Sequence, residues 1–303
     1  MVIVCGPTGS GKSALSVALA ERFSGEVINC DSVQIYRYFD IGAAKSTAAE
    51  RRGIPHHLLD VAEPDAVFTA GDYARLARAA LGAVSARGHL PVVAGGTGLY
   101  LRALLQGLFE GPPRNEALRA RLRARESRRP GALHRLLTRW DPVAAARIHP
   151  NDISKITRAL EVILTGKRSL TELFESGRDP LHGYRVLELG LDPPRAELYA
   201  RLEDRARTMF EHGLLGEAGG LLERFPATAK PFESLGYAQA VAHLNGSITL
   251  EQAIADTQIH TRRYAKRQWT WFRREPGIEW VTGFGEDPAV QHAVMAKVTR
   301  FLD

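Results

Sequence analysis

Val2-Ile3-Val4-Cys5-Gly6-Pro7-Thr8-Gly9-Ser10-Gly11-Lys12-Ser13 stands at the head of a 303-residue chain and decides how the rest is read. Gly6-x-x-x-x-Gly11-Lys12-Ser13 meets every requirement of the P-loop pattern. An apolar run precedes it, and Ala14–Arg22 follows with helical spacing, so strand, glycine loop and helix occur in the order the motif requires. In that context backbone N–H groups and the helix N-terminus cradle phosphate oxygens. Lys12 adds a point charge and Ser13 a hydroxyl suited to Mg²⁺. A diphosphate-bearing ligand is therefore expected on Gly6, Pro7, Thr8, Gly9, Ser10, Gly11, Lys12 and Ser13.

Outward from the loop, Glu26–Cys30 reads as a second buried strand and His57–Val61 as a third. Ala70–Arg87 reads as a helix, Leu90–Ala94 as a strand, and Gly95-Gly96-Thr97 leads into a helix ending near Leu105. Alternation of this kind implies a parallel sheet flanked by helices. Between Pro112-Pro113 and Asp179-Pro180 only helical patterns occur. Tyr184–Leu191 returns as a strand, Pro194–Glu211 is helical with Gly213 as its C-cap, and Thr249–Phe272 is one long helix. Ile278–Val281 and the last fifteen residues add a strand and a helix. The fold class is α/β: a P-loop core over 1–111 and 184–303, interrupted by an all-helical insertion over 112–183.

Forty Lys+Arg against 34 Asp+Glu give a net charge of +6. That figure hides a sharp division. Residues 114–139 carry nine arginines and two acids, +7, and residues 261–274 carry six cations and no acid, so the rest of the chain is at −7. An acidic body with two basic segments is the footprint of a polyanion binder. Tyr264, Trp269, Trp271 and Phe272 are interleaved with the second segment, a combination that can stack on unpaired bases. Two cysteines exclude a disulfide framework or a zinc cluster. No apolar run approaches a membrane span, and the first residues lack a secretory signal pattern, so a cytoplasmic location is expected. The adjacent His56 and His57 read as structural.

ATP or GTP hydrolysis is not favoured by the remaining residues. A typical P-loop NTPase holds its metal with an acid at a nearby strand end. Here Leu90–Ala94 ends in Gly95-Gly96-Thr97, and no Asn-Lys-x-Asp motif for guanine occurs. The acid at a strand end is Asp31, followed by Ser32. Ligands bind outside the carboxyl ends of parallel strands, so Gly6–Ser13, Asp31 and Thr97 should converge. Asp31 and Thr97 each read either as a helix N-cap or as site groups, the aspartate taking a proton and the threonine holding a phosphate oxygen or that aspartate. Such a set suits group transfer better than hydrolysis.

Asp31-Ser32-Val33-Gln34-Ile35-Tyr36, Gly95-Gly96-Thr97-Gly98-Leu99-Tyr100, Asp152-Ile153-Ser154-Lys155-Ile156-Thr157-Arg158, Gly236-Tyr237 and Thr261-Arg262-Arg263-Tyr264-Ala265-Lys266-Arg267-Gln268, together with the glycine loop, resemble blocks of the bacterial tRNA dimethylallyltransferases, in family order. The resemblance implies transfer of a dimethylallyl group from its diphosphate to the exocyclic amine of the adenosine 3′ of the anticodon. It places the donor diphosphate on the P-loop with Mg²⁺, makes Asp31 the general base, and gives Thr97 and Arg205 to the diphosphate. It assigns tRNA contact to Asp31, Ser32, Val33 and Gln34, to Lys155, Ile156, Thr157 and Arg158, and to Arg262, Lys266 and Arg267. The sequence shows no zinc-finger block of the eukaryotic kind, so RNA recognition is expected to rest on core and insertion. One set of site groups per chain implies a working monomer without membrane attachment. Three other readings are open: a small-molecule kinase with an arginine-rich lid, prenylation of free adenine nucleotides, and an RNA-binding protein with a vestigial loop.

Overall fold

A computed structural model describes residues 1–109, 111–175 and 177–303. In chain order the first part gives β1 (Val2–Cys5), α1 (Lys12–Arg22), β2 (Gly25–Asn29), α2 (Ala48–Arg51), β3 (His56–His57), α3 (Ala70–Ala86), β4 (Leu90–Ala94) and α4 (Gly98–Gln106). The middle gives α5 (Glu116–Arg128), α6 (Ala132–Trp140), α7 (Pro142–Arg147), α8 (Ile153–Gly166) and α9 (Leu170–Glu175). The last part gives β5 (Leu187–Asp192), α10 (Arg195–Glu211), α11 (Leu214–Leu222), a 3₁₀ turn at Lys230–Glu233, α12 (Tyr237–Leu244), α13 (Leu250–Phe272), β6 (Ile278–Thr282) and α14 (Pro288–Leu302).

Six strands form one sheet in the order β3-β2-β4-β1-β5-β6, and every pairing is parallel. Continuous apolar runs such as Val2–Cys5 suit this arrangement, because parallel strands bury both faces. Leu15 and Leu19 of α1 and Val290, Val294 and Val298 of α14 pack on Val2, Val4, Val92 and Leu189 of the sheet. The order brings the carboxyl ends of β2, β4 and β1 side by side. Those ends carry Asp31, Gly95–Thr97 and Gly6–Ser13.

The chain divides into two compact units, one of Met1–Leu105 with His182–Asp303 and one of Gln106–Leu181. The helical unit runs from 106 to 181, where Pro112-Pro113 and the strand expected from Tyr184 suggest 112–183. Its two ends lie together: Arg178 donates to Gln106 Oε1 at 3.1 Å. Leu122, Leu133, Leu137, Ile156 and Leu160 form its core. At its centre the buried carboxylate of Glu161 accepts from Arg119 (2.8 and 2.9 Å), Arg158 (2.6 Å) and the Asn115 N–H (2.7 Å). Burial alone would raise that carboxyl. The Arg119, Asn115 and Arg158 hydrogen bonds outweigh burial and hold it near a pKa of about 2.

Three sequence expectations need correction. The third strand is His56–His57 and does not run to Val61, because Leu58 (φ 61) and Asp60 (φ 56) take left-handed backbone. His56 and His57 are structural: His56 Nδ1 meets the Ile54 carbonyl at 2.8 Å, and His57 Nε2 meets Glu26 Oε2 at 2.6 Å. Gly213 (φ 103) follows the end of α10 and also heads α11, a helix the sequence reading passed over. Two of the four aromatics of α13 do not face outward among the cations, while Tyr264 and Trp271 are half-buried and lie under Arg267 and Arg102. Trp269 and Phe272 are core residues, 5% and 1% exposed, while Lys266 and Arg267 occupy the exposed face. The interleaving is the 3.6-residue period of an amphipathic helix.

Candidate active site

Gly11 (φ 85) ends the glycine loop as the N-cap of α1, in backbone geometry that disfavours any side chain. No side chain caps α1, and its first turn holds no acid. Its leading N–H groups are thus left for an external anion. Lys12 lies folded over the loop, its Nζ donating to the Pro7 carbonyl at 2.7 Å. Burial lowers its pKa to about 8; Arg205 pushes the same way and Asp31 opposes it. A lysine held at such a cost gains most from a neighbouring negative charge. Ser13 is exposed on the first turn of α1.

Arg205 comes from α10, 197 residues along the chain, and donates from Nη2 to Thr8 Oγ1 at 2.8 Å. Neither Glu203 nor Asp204 pairs with it; Glu203 receives Arg262 at 2.5 Å instead. Desolvation lowers the Arg205 pKa, Arg201 adds to this, and Asp31 counteracts it. Arg205 has no carboxylate partner among the described residues. A desolvated arginine beside a desolvated lysine, at an uncapped helix terminus, is an anion site by its electrostatics.

Asp31 follows β2. Its Oδ1 accepts the Val33 and Gln34 N–H groups at 2.8 and 3.3 Å, closing a turn and not capping a helix. Oδ2 accepts no hydrogen bond among the described residues. Thr97 is likewise no helix cap by its side chain: Oγ1 accepts the Ser32 N–H at 3.0 Å and so steadies the aspartate's loop. It stands behind the cavity, outside its lining. Gln34 turns its amide onto the Ala43 and Ala44 carbonyls at 3.0 and 3.2 Å. The loop beyond is anchored by Glu217, which accepts the Ile41 N–H at 3.0 Å and the Tyr237 hydroxyl.

These elements surround a cavity of about 420 Å³. Thr8, Asp31, Arg205 and Arg267 give it polar groups, and Tyr100, Leu202 and Met209 give it apolar surface. Ser32 and Val33 border it, as does Tyr264. Burial and then Asp31 push the Tyr264 phenol well above its ordinary pKa, so it stays protonated. One cavity therefore offers Arg205 with Thr8 of the glycine loop, a carboxylate with an unused oxygen, and apolar walls for a small hydrocarbon or a flat ring. Lys12, Ser13 and the rest of the loop lie outside its lining.

Of the residues read as contacting RNA, Lys155 and Lys266 are exposed, and Arg267 is exposed where it borders the cavity. Ile156 and Thr157 are corrected: at 0% and 4% exposure they face inward, since α8 turns this side to its core. Arg158 is engaged with Glu161 and with the Pro112 carbonyl at 3.1 Å. Gln268, which had no assigned role, lies buried between the loops of Thr8 and Gly96. The notable signal was its polar amide on the inward face of a helix.

The IPP transferase family model matches residues 34–275. The chain belongs to this family. It is 57% identical over 303 residues to a tRNA dimethylallyltransferase of Solibacter usitatus, covering 100% of this chain and 99% of that one. A tRNA dimethylallyltransferase of Koribacter versatilis is 56% identical, with 96% and 95% covered. The solved tRNA isopentenylpyrophosphate transferase of Bacillus halodurans superposes with TM-score 0.72 at 38% identity, over 99% of this chain and 96% of that chain. A eukaryotic dimethylallyltransferase acting on tRNA gives TM-score 0.84 at 28% identity, over 100% and 79%. The glycine loop and Asp31 both lie outside the matched family region, and of the loop Thr8 borders the cavity together with Asp31 and Arg205.

Proposed function

We propose that the protein transfers a dimethylallyl group from dimethylallyl diphosphate to the exocyclic amine of the adenosine 3′ of the anticodon in tRNA. The observation that carries this is the unused Asp31 Oδ2 in the same cavity as Arg205 and Thr8 of the glycine loop. The amine nitrogen attacks the allylic carbon of the donor. The carbon–oxygen bond to the diphosphate breaks, and its electron pair leaves with the diphosphate. The amine proton passes to Asp31 Oδ2. Lys12, Arg205 and the first-turn N–H groups of α1 stabilise the charge that gathers on the leaving group. Apolar surface at Leu202 and Met209 suits the five-carbon chain and keeps water from the allylic carbon.

Ser13 fits a magnesium ion that arrives with the diphosphate. The described residues hold no cluster of three His, Cys, Asp or Glu, so its remaining ligands would be phosphate and water oxygens. Bound there, the ion supplies further charge neutralisation at the leaving group. The acceptor adenine must be flipped from the stacked loop to reach the cavity. Exposed arginines of α5, with Lys155, Lys266 and Arg267, supply phosphate contacts. A working monomer that acts on tRNA in the cytoplasm completes this reading.

Labelled dimethylallyl diphosphate and unmodified tRNA test the reading directly, with RNA-free ATP turnover as the competing assay. Label on the RNA is the expected result. ATP turnover with no label transfer would sustain the kinase reading and end this one. Equal transfer to AMP and to tRNA would shift the acceptor to free nucleotides.

A further inference from the structure

The groups of the site sit on separate loops, and one buried side chain ties two of them together. Gln268 is 5% exposed on α13. Its Oε1 accepts the Thr8 N–H at 2.7 Å and its Nε2 donates to the Gly96 carbonyl at 2.9 Å. From Thr8 the contacts run to Arg205 Nη2. From Gly96 they run through Thr97 Oγ1 to the Ser32 N–H, next to Asp31. Both ends dictate the same amide orientation, because one loop presents a donor and the other an acceptor. Position 96 is cleared for this contact. A Cβ there would overlap Gln268 Nε2, and Gly96 does not take left-handed backbone, so the glycine provides space and not conformational freedom.

We propose that Gln268 is a positioning residue for the transfer, setting the distance between the diphosphate cradle and the aspartate that takes the amine proton. The inference rests on the function proposed above. Gln268 is not part of the cavity lining and touches neither donor nor acceptor; it acts through Thr8 and through Gly96–Thr97. Displacement attack requires the leaving group, the allylic carbon, the amine and the base to be aligned, and a misplacement of about 1 Å costs about 10²-fold in rate. A buried amide that fixes two loops at once removes that freedom before either substrate binds.

Gln268→Met keeps the length and packing while deleting both hydrogen bonds. Its single-turnover transfer rate should fall about 10²-fold, with affinities for inorganic diphosphate and for tRNA staying within about three-fold of wild type. Gly96→Ala displaces the amide from the other side and should give the same loss. The double variant should then lose no more than either single one, as expected for residues acting as a unit. Wild-type transfer by Gln268→Met overturns the proposal, and so does a rate loss matched by an equal loss of diphosphate affinity. If Gln268→Met fails to fold, Gly96→Ala carries the same measurements, and its full activity overturns the proposal equally. Failure of wild type to label tRNA would instead remove the functional reading itself.

Discussion

Arg119 and Arg205 are both half-buried arginines on helices, one in each unit, and their surroundings drive them in opposite directions. Arg119 meets the Glu161 carboxylate, and that hydrogen bond raises its pKa. Arg205 meets a threonine hydroxyl, and desolvation lowers its pKa. The first arginine has its counter-charge inside the fold. The second is partly desolvated without one, which is worthwhile only if an anion arrives from outside. Counting arginines in the sequence pointed to the helical unit as the polyanion-binding part. Partners, more than numbers, separate arginines that hold the protein together from those that hold a ligand.

The strongest challenge to this contrast comes from Asp31, the nearby carboxylate that does not neutralise Arg205. Asp31→Asn keeps an acceptor for the Val33 N–H but removes the base, and should cut transfer about 10²–10⁴-fold. Binding of tRNA should stay within a few-fold in a filter or polarisation assay; a comparable loss of binding would make the aspartate structural. Next is the internal pair. Glu161→Ala strands Arg119 and Arg158, and should destabilise the helical unit by about 3–5 kcal/mol in a denaturant titration. Acid should act likewise. The Glu161 pKa of about 2 lies below that of a free glutamate, so its stabilisation is complete above pH ~4.3. It is lost as the pH falls through about 2, and Glu161→Gln should abolish that part of the acid transition.

Arg205→Ala should weaken inorganic diphosphate binding about 10–100-fold, the range of one charge-assisted hydrogen bond, with little change in melting temperature. A large stability loss instead would place Arg205 with Arg119 as a structural residue. The smallest effects belong to the exposed arginines. Replacing Arg121, Arg123 and Arg125 should weaken tRNA binding and lower the log–log salt slope by about 0.7–0.9 per lost phosphate contact. An unaltered slope would mean that these side chains only solvate α5.

Local chemistry was legible from the sequence. The glycine loop, Asp31 at a strand end and the Gly-Gly-Thr turn each sit within a few residues of the element that defines them. The parallel sheet followed from alternating apolar runs. Long-range chemistry was not legible from spacing alone. Arg205 was singled out only through family resemblance, because its partner Thr8 is 197 residues away. Nothing in the local pattern says that Arg119 and Arg158 face Glu161. Inward residues inside a basic block were misread for another reason: Ile156, Trp269 and Phe272 follow the apolar period of their helices (Ala265, Trp269 and Phe272 on α13), and that period outweighs the neighbouring cations. The overestimated third strand failed on backbone geometry: Leu58 is of a type that rarely adopts the left-handed backbone it takes here, and Asp60, of a type that tolerates it, continues the break.

The sheet's pairing also sets an order of events during synthesis. β1 pairs on one side with β4, Val2 beside Val92, and on the other with β5, Val2 beside Leu187. At about 5–20 residues per second, the second edge of β1 waits roughly 10–40 s on the ribosome before its neighbour is made. During that interval the whole helical unit emerges. Its contacts are mostly local, so it can fold while the sheet stands half built. The interval leaves a hydrophobic strand edge open to chaperones or to a second nascent chain.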